Sequence, residues 1–215
     1  MDMTHHKYAW EPYLSKGIKK TFPQKTTLFH QGEIGKGFYY LFDGEVKIKL
    51  TSNKGDERII DIVTQGELFG EAGIKKEPYF STAHVTKQSI VYYFSNEAFQ
   101  SICKENPAAI DIFLQSLIRK ERLLAEIVAQ ENRSFEQKLA FFLLKMYNKS
   151  NETSISINQI SLSNYIGTSR ITVYKILQQW EKKEIVTVSN RSIHINDLNR
   201  LRAILNEDII IPSED

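Results

Sequence analysis

Between Arg170 and Trp180 the sequence sets an arginine, a lysine, a glutamine and a tyrosine at spacings that one helix face would gather. At about 100° per residue, Val173, Ile176, Leu177 and Trp180 fall in one narrow stripe, predicted to be buried. Ile171, Lys175 and Gln178 point the opposite way, with Tyr174 on the flank and Arg170 near the start. In the major groove of DNA, arginine and lysine can bond guanine and glutamine can bond adenine. An apolar side chain such as Ile171 can meet a thymine methyl. An ordinary solvated helix face is the bland alternative, so the surrounding segments matter.

Those segments fit a specific unit. Asn158 can cap a short helix containing Ile160, Leu162 and Ile166, and Gly167 supplies a tight bend. Thr168 or Ser169 can then cap the second helix, predicted to run to about Lys183. Two short helices joined by a glycine-containing turn are the helix-turn-helix pattern. Ile185–Val188, the turn Ser189-Asn-Arg-Ser192 and Ile193–Ile195 predict a hairpin that makes the unit winged, with Arg191 a candidate phosphate contact.

No other chemistry competes. No nucleophile–base pair, metal-ligand spacing or phosphate-cradling loop stands out, so neither an enzyme nor a metal site is expected. One cysteine, Cys103, excludes an internal disulfide and a cysteine-ligated iron–sulfur cluster within a single chain. His5-His6 is too short for a metal site, and His30, in the turn His30-Gln-Gly-Glu33, is read as structural. The 215 residues are 41% hydrophobic, with 28 Lys+Arg against 26 Asp+Glu, an ordinary globular composition. A net charge of +2 neither requires nor forbids nucleic acid. No apolar run approaches the ~18 residues of a membrane span. The start, Met1-Asp-Met-Thr-His-His-Lys7, has no charged-then-apolar leader, so a cytoplasmic protein is expected.

The elements that must position the helix-turn-helix follow from punctuation. Nine of the ten glycines lie between Gly17 and Gly73, and the other is Gly167. From Leu28 to Phe94, short β-prone runs recur between turn residues, predicting a small antiparallel barrel or sandwich. Asp43-Gly44 is read as a hairpin turn, with further turns at Asn53–Asp56 and Gln65-Gly66. After Pro107, Ala108 to Glu131 reads as an amphipathic helix about 37 Å long. Its apolar seam is Ile110, Leu114, Leu117, Leu124 and Val128, interrupted by Lys120 and Glu121. The helix could lie on its own barrel, but it should outrun a barrel of about 80 residues, which favours a dimer seam. Ser134-Phe-Glu-Gln137 is a capping box that restarts a helix carrying Leu139, Leu143 and Met146, and Asn148–Ser154 reads as a loop. The predicted divisions are 1–106, 107–132 and 133–215.

With these elements in order, the chain resembles the cyclic-AMP receptor protein/FNR family of bacterial transcription regulators. The likeness runs from Phe22 to Ile195. It rests on Phe22-Pro-Gln-Lys-Thr-Thr-Leu-Phe-His-Gln-Gly-Glu33, Phe38-Tyr-Tyr-Leu-Phe-Asp-Gly44, Gln65-Gly-Glu-Leu-Phe-Gly-Glu71 and Ile166-Gly-Thr-Ser-Arg-Ile-Thr-Val-Tyr-Lys-Ile-Leu177. The resemblance implies an α+β fold in three parts. An N-terminal antiparallel β-roll of the cyclic-nucleotide-binding, double-stranded β-helix kind comes first, then a long dimerisation helix and a C-terminal winged helix-turn-helix. It also implies a homodimer on near-palindromic double-stranded DNA, acting with RNA polymerase.

The departures from the family pattern bear on the effector. In the family's nucleotide cassette, a Gly-Glu pair holds the ribose and an Arg-Ser pair the cyclic phosphate, while a Thr-Ser pair on the long helix meets the base. Gly70-Glu71 matches, but Ser81-Thr82 stands for Arg-Ser and Leu124-Ala125 for Thr-Ser. Losing a charge-assisted hydrogen bond of roughly 1.5–3 kcal/mol costs about ten- to a hundredfold in affinity. Cyclic AMP is therefore not expected. An unknown small-molecule effector at Gly70, Glu71, Ser81, Thr82, Leu124 and Ala125 is the leading expectation. The rivals are a roll that serves only as a dimer scaffold, and a winged domain that contacts protein. Haem would have only His84 and Cys103 as axial ligands, and strand alternation turns His84 away from Ala83 and Val85, so no cofactor is expected.

The resemblance also makes Ser169, Arg170, Ile171, Thr172, Tyr174, Lys175, Gln178 and Arg191 the DNA-contacting set. The family's usual Arg-Glu-Thr is here Arg170-Ile171-Thr172, so a thymine is expected opposite Ile171 where relatives read cytosine.

Overall fold

The computed structural model describes residues 8–189 and 191–205; residues 1–7, 190 and 206–215 lie outside the described residues, and the His5-His6 pair with them. The chain divides into two compact units, Met1–Ile127 and Val128–Asp215.

In the first unit a 3-10 turn at Glu11–Lys16 leads into β1 (Ile18–Phe22), β2 (Thr27–Phe29), β3 (Gly37–Thr51), β4 (Glu57–Thr64) and β5 (Leu68–Phe69). A second 3-10 turn, Glu71–Lys75, precedes β6 (Thr82–Ser95) and the helices α1 (Asn96–Glu105) and α2 (Ala108–Ala129). The strands form one antiparallel sheet in the order β1-β6-β3-β4, with β2 also on β6 and β5 on β3. Alternation along β6 buries Ala83, Val85 and Val91 against Phe29, Leu41, Val46, Val63 and Phe69. His84, between two of them, is only partly buried, as the alternation predicts. A second cluster gathers aromatic rings: Trp10 meets Phe94 edge-on at 5.7 Å, and Phe38 meets Phe113 of α2 at 5.1 Å.

Asp43-Gly44 is not a hairpin turn. It sits inside β3, which stays paired with β6 on both sides through register shifts between Leu41 and Val46. Gly44 takes φ +103, and a Cβ there would collide with the Ser89 hydroxyl, so the glycine makes a bulge that lets the strand continue. The turn at Asn53–Asp56 does join β3 to β4, where Thr51 faces Glu57. The sequence reading missed α1, whose cap is the Ser95 side chain accepting the Ala98 N–H.

Helix α2 carries two faces. Ala109, Phe113, Ser116, Lys120, Leu123 and Ile127 recur at steps of four and three, and each is buried or half-buried. Ile110, Leu114, Leu117, Leu124 and Val128 are exposed on another side. Lys120 therefore does not interrupt the apolar seam. It belongs to the covered face, and Glu121 alone breaks the exposed one.

The second unit begins with α3 (Phe135–Ser150), entered through the predicted capping box of Ser134 and Gln137. The helix persists to Ser150 and ends at Asn151 in the left-handed region, so the first three residues of the polar stretch read as a loop, Asn148 to Ser150, are helical. The remaining elements are β7 (Ser154–Ser156), α4 (Gln159–Ile166), α5 (Arg170–Lys182), β8 (Val186–Ser189), β9 (Ser192–Ile195) and α6 (Leu198–Ala203). The wing is a three-stranded sheet, β7-β9-β8, rather than a bare hairpin. Among the described residues no helix is long and apolar enough to cross a membrane.

Candidate nucleic-acid interface

Helix α4 starts where Asn158 Oδ1 accepts the Ser161 N–H at 2.8 Å. It ends at Gly167, whose φ of +75 lets the backbone turn sharply while its N–H bonds the Ser163 carbonyl. Ser169 then caps α5, its Oγ accepting the Thr172 N–H at 3.1 Å. The bend and two caps fix where α5 begins and hence which side chains it turns outward.

The predicted division of α5 holds. Val173, Leu177 and Trp180 are buried and Ile176 is half-buried. The Trp180 indole N–H donates to Glu136 of α3 at 2.8 Å, which locks the rotation of α5 about its axis. On the other side Arg170, Tyr174, Lys175 and Gln178 are exposed, and Ile171 keeps 67% of its surface in solvent. An exposed isoleucine beside two cations gives this face an apolar and a basic component, which match the thymine methyl and the base acceptors of the major groove. Among the described residues Arg170 and Lys175 have no ion-pair partner.

The remaining members of the set are engaged locally. The Thr172 and Ser169 hydroxyls bond each other at 2.9 Å, so Ser169 acts through the cap. Gln178 donates to the Tyr174 hydroxyl at 2.8 Å, which orients both on the outer face. Arg191 is exposed in the β8–β9 turn beside residue 190, which lies outside the described residues.

The first unit gathers its predicted pocket residues differently from expectation. Glu71 retains 4% exposure, and its carboxylate accepts from Ser116 Oγ at 2.7 Å and from the Lys120 ammonium. Lys120 also donates to the Leu68 carbonyl at 2.9 Å and to Ser116 Oγ at 3.0 Å, so all three of its donors are used. Burial pushes the Glu71 carboxyl up, but the Lys120 charge and the bonds from Lys120 and Ser116 outweigh it and hold the group below the usual carboxylate range. The neighbouring Arg119 reaches Glu67 at 3.4 Å and Asp61 at 3.7 Å.

Ser81 is buried, and the Thr82 hydroxyl accepts the Gln31 N–H at 3.0 Å. Leu124 and Ala125 are exposed in the single chain, Leu124 one helical turn beyond Lys120 and Ala125 nearly opposite the covered face. The side chains of α2 that do reach Glu71, Ser116 and Lys120, were missed. The four-residue step between them, continuing the Ala109–Phe113 face, was the signal available. His84 lies on β6 and Cys103 on α1, where burial raises the thiol pKa. Among the described residues no group of three or more His, Cys, Asp or Glu is placed to hold a metal ion.

Comparison with known proteins divides along the same lines. Residues 19–106 match the cyclic nucleotide-binding domain and residues 137–204 the Crp-like helix-turn-helix domain. The cAMP-activated global transcriptional regulator CRP of Pasteurella multocida is 27% identical over 195 residues, covering 85% of this chain and 92% of that protein. The Cyclic AMP receptor protein of Thermus thermophilus is 25% identical over 195 residues, 89% of each chain. Among solved structures, FixK2 from Bradyrhizobium japonicum superposes with a TM-score of 0.80 at 16% identity, over 90% of this chain and 99% of that one. That last likeness is one of fold.

Proposed function

We propose that this chain, which belongs to the cyclic-AMP receptor protein/FNR family of DNA-binding transcription regulators, works as a homodimer on near-palindromic DNA in the cytoplasm. The family is one of regulators rather than enzymes, and we read this chain the same way. The observation that carries the reading is the outer face of α5. Arg170, Ile171, Tyr174, Lys175 and Gln178 stand exposed on a helix whose start and rotation are both fixed. Arg170 and Lys175 are assigned to guanine edges, Ile171 to a thymine methyl, Arg191 to a phosphate, and Ser169 and Thr172 to the helix start.

The exposed stripe Ile110, Leu114, Leu117, Leu124 and Val128 supports pairing of α2 with a second copy. Pairing would set two recognition helices about 34 Å apart, one DNA turn. Contact with RNA polymerase is part of the reading through the family alone. The roll keeps two readings, an effector other than cyclic AMP or none; Lys120 and Ser116 both bond Glu71 at Oε1, which favours neither. Neither reading assigns haem or another cofactor.

Selection from random duplexes at low salt, followed by a salt-titrated shift assay, tests the function. A selected near-palindrome whose affinity falls linearly in log salt is expected. No retained duplex at low salt would instead favour a winged domain that contacts protein.

A further inference from the structure

We propose that Tyr174 is a positioning residue that sets which base Gln178 reads, so that each recognition helix fixes an A·T pair separate from the contacts of Arg170, Ile171 and Lys175. The inference deepens the reading of α5 and rests on the DNA-binding function proposed above.

Placement comes first. Arg170, Tyr174 and Gln178 follow one another at four-residue steps and form one column on the exposed side of α5. Gln178 lies only about 20° around the helix from Ile171 and about 10.5 Å further along it. With bases stacked at about 3.4 Å, that distance is about three base pairs. The Gln178 amide therefore addresses a pair that Ile171 does not meet.

The amide is also held. Gln178 Nε2 donates to the Tyr174 hydroxyl at 2.8 Å, and the Trp180–Glu136 bond fixes the rotation of the helix that carries both. A glutamine alone on a helix surface loses rotamer freedom when it meets a base, and the bond to Tyr174 removes part of that loss in advance.

What the bond leaves over decides the base. A primary amide has two N–H donors and a carbonyl acceptor. Tyr174 takes one N–H, and the other stays beside Oε1 with no bond to either among the described residues. An adjacent donor and acceptor match adenine in the major groove, where N7 accepts and the N6 amino group donates. A bond between residues four apart on an exposed helix face contributes little to stability, so the pair should be felt in base selection and not in folding.

The test uses the full chain in the random-duplex selection described above, followed by competition with each base pair at the position concerned. The wild type should select an A·T pair about three base pairs from the one opposite Ile171, preferred by about five- to 150-fold. Gln178→Ala should lose that preference and no other. Tyr174→Phe, which keeps the ring and removes the hydroxyl, should lower it about two- to tenfold and leave the preferences opposite Arg170 and Ile171 unchanged. Added to Gln178→Ala, Tyr174→Phe should change nothing further, because the hydroxyl acts through the amide. Gln178→Glu puts an acceptor-only group at the same place and should switch the pair to C·G, where the cytosine amino group donates. None of these variants should shift the urea midpoint of the second unit.

A selected site with no A·T pair at that distance, an unchanged base pair in Gln178→Glu, or wild-type preference in Tyr174→Phe would each overturn the proposal. So would additive effects of the two substitutions, which would mean that Tyr174 meets the DNA itself. Equal weakening of every sequence in Gln178→Ala would make the amide a phosphate contact, overturning the proposal while the DNA-binding reading stands. If the wild type retains no duplex at low salt, that reading falls and the proposal with it. Should Gln178→Ala not fold, Gln178→Met keeps the length without the amide; the same preference should be lost there, and its retention overturns the proposal.

Discussion

On α2, two successive cations, Arg119 and Lys120, reach three carboxylates of their own unit, and Glu71 and Glu67 among these are buried. On α5 the cations Arg170 and Lys175 stand in solvent, with no ion-pair partner among the described residues. Four charges of one sign thus do opposite work. The inward pair has given up hydration and returns it as fixity of a helix. The outward pair keeps hydration and remains open to phosphates and base edges. Stability of the first unit should therefore respond to substitutions on α2 and base reading to those on α5, and substitutions on either helix probe that division.

The largest effect is expected at the inward pair. Lys120→Met leaves the Glu71 carboxylate buried without its counter-charge, and urea unfolding of the first unit should lose about 3 kcal/mol. Arg170→Ala, in contrast, should stay within about 0.5 kcal/mol of wild type in the same assay. Equal losses would break the comparison. The pair also sets an acid limit. Because the folded Glu71 carboxyl lies below its unfolded value, its contribution is complete above the unfolded pKa of about 4.3 and is lost as pH falls through the lower folded value. Glu71→Gln should remove that part of the acid limb and leave the rest.

Next comes the outward pair. Arg170→Ala should cost roughly 1–3 kcal/mol on the selected duplex and relax one base position. Uniform weakening on every sequence would make Arg170 a phosphate contact and blur the division between reading and anchoring. Ser169→Ala is expected to be smaller, about 1 kcal/mol, and to appear in the unfolding of the second unit. A loss of DNA affinity with no loss of stability would mean that the Ser169 hydroxyl reaches the DNA rather than capping α5.

The two regions also differ in how far the sequence disclosed them. Caps and helical phase are local, so Asn158, Gly167, Ser169 and the buried stripe of α5 are legible in the sequence alone. The capping box at Ser134 is equally local. Lys120 is different. Its partner Glu71 lies 49 residues away, and a lysine among leucines reads as a break in a seam until the roll is folded against it. Asp43-Gly44 failed for a related reason. The dipeptide favours a turn, yet pairing of β3 with β6 on both sides converts the same backbone freedom into a bulge. The added strand β7 pairs only through β9, across some 40 residues, and left no local pattern to read.

The smallest predicted effect lies on the same outer face but involves no charge. Ile171 stands where the family pattern this chain resembles implies an acidic residue, and it keeps 67% of its surface in solvent. A carboxylate there would accept a hydrogen bond from cytosine; a branched aliphatic can only contribute by covering an apolar group, and the thymine methyl is the one the major groove offers. Burying one such group contributes about 0.8 kcal/mol. Ile171→Ala should therefore weaken the selected site by about that much, leave urea stability unchanged, and flatten the preference for thymine at a single base pair in each half-site. Selection that instead fixes a C·G pair opposite residue 171, lost in Ile171→Ala, would show that a neighbour such as Gln178 reads that position. The outer face of α5 would then have to be assigned anew from its polar groups.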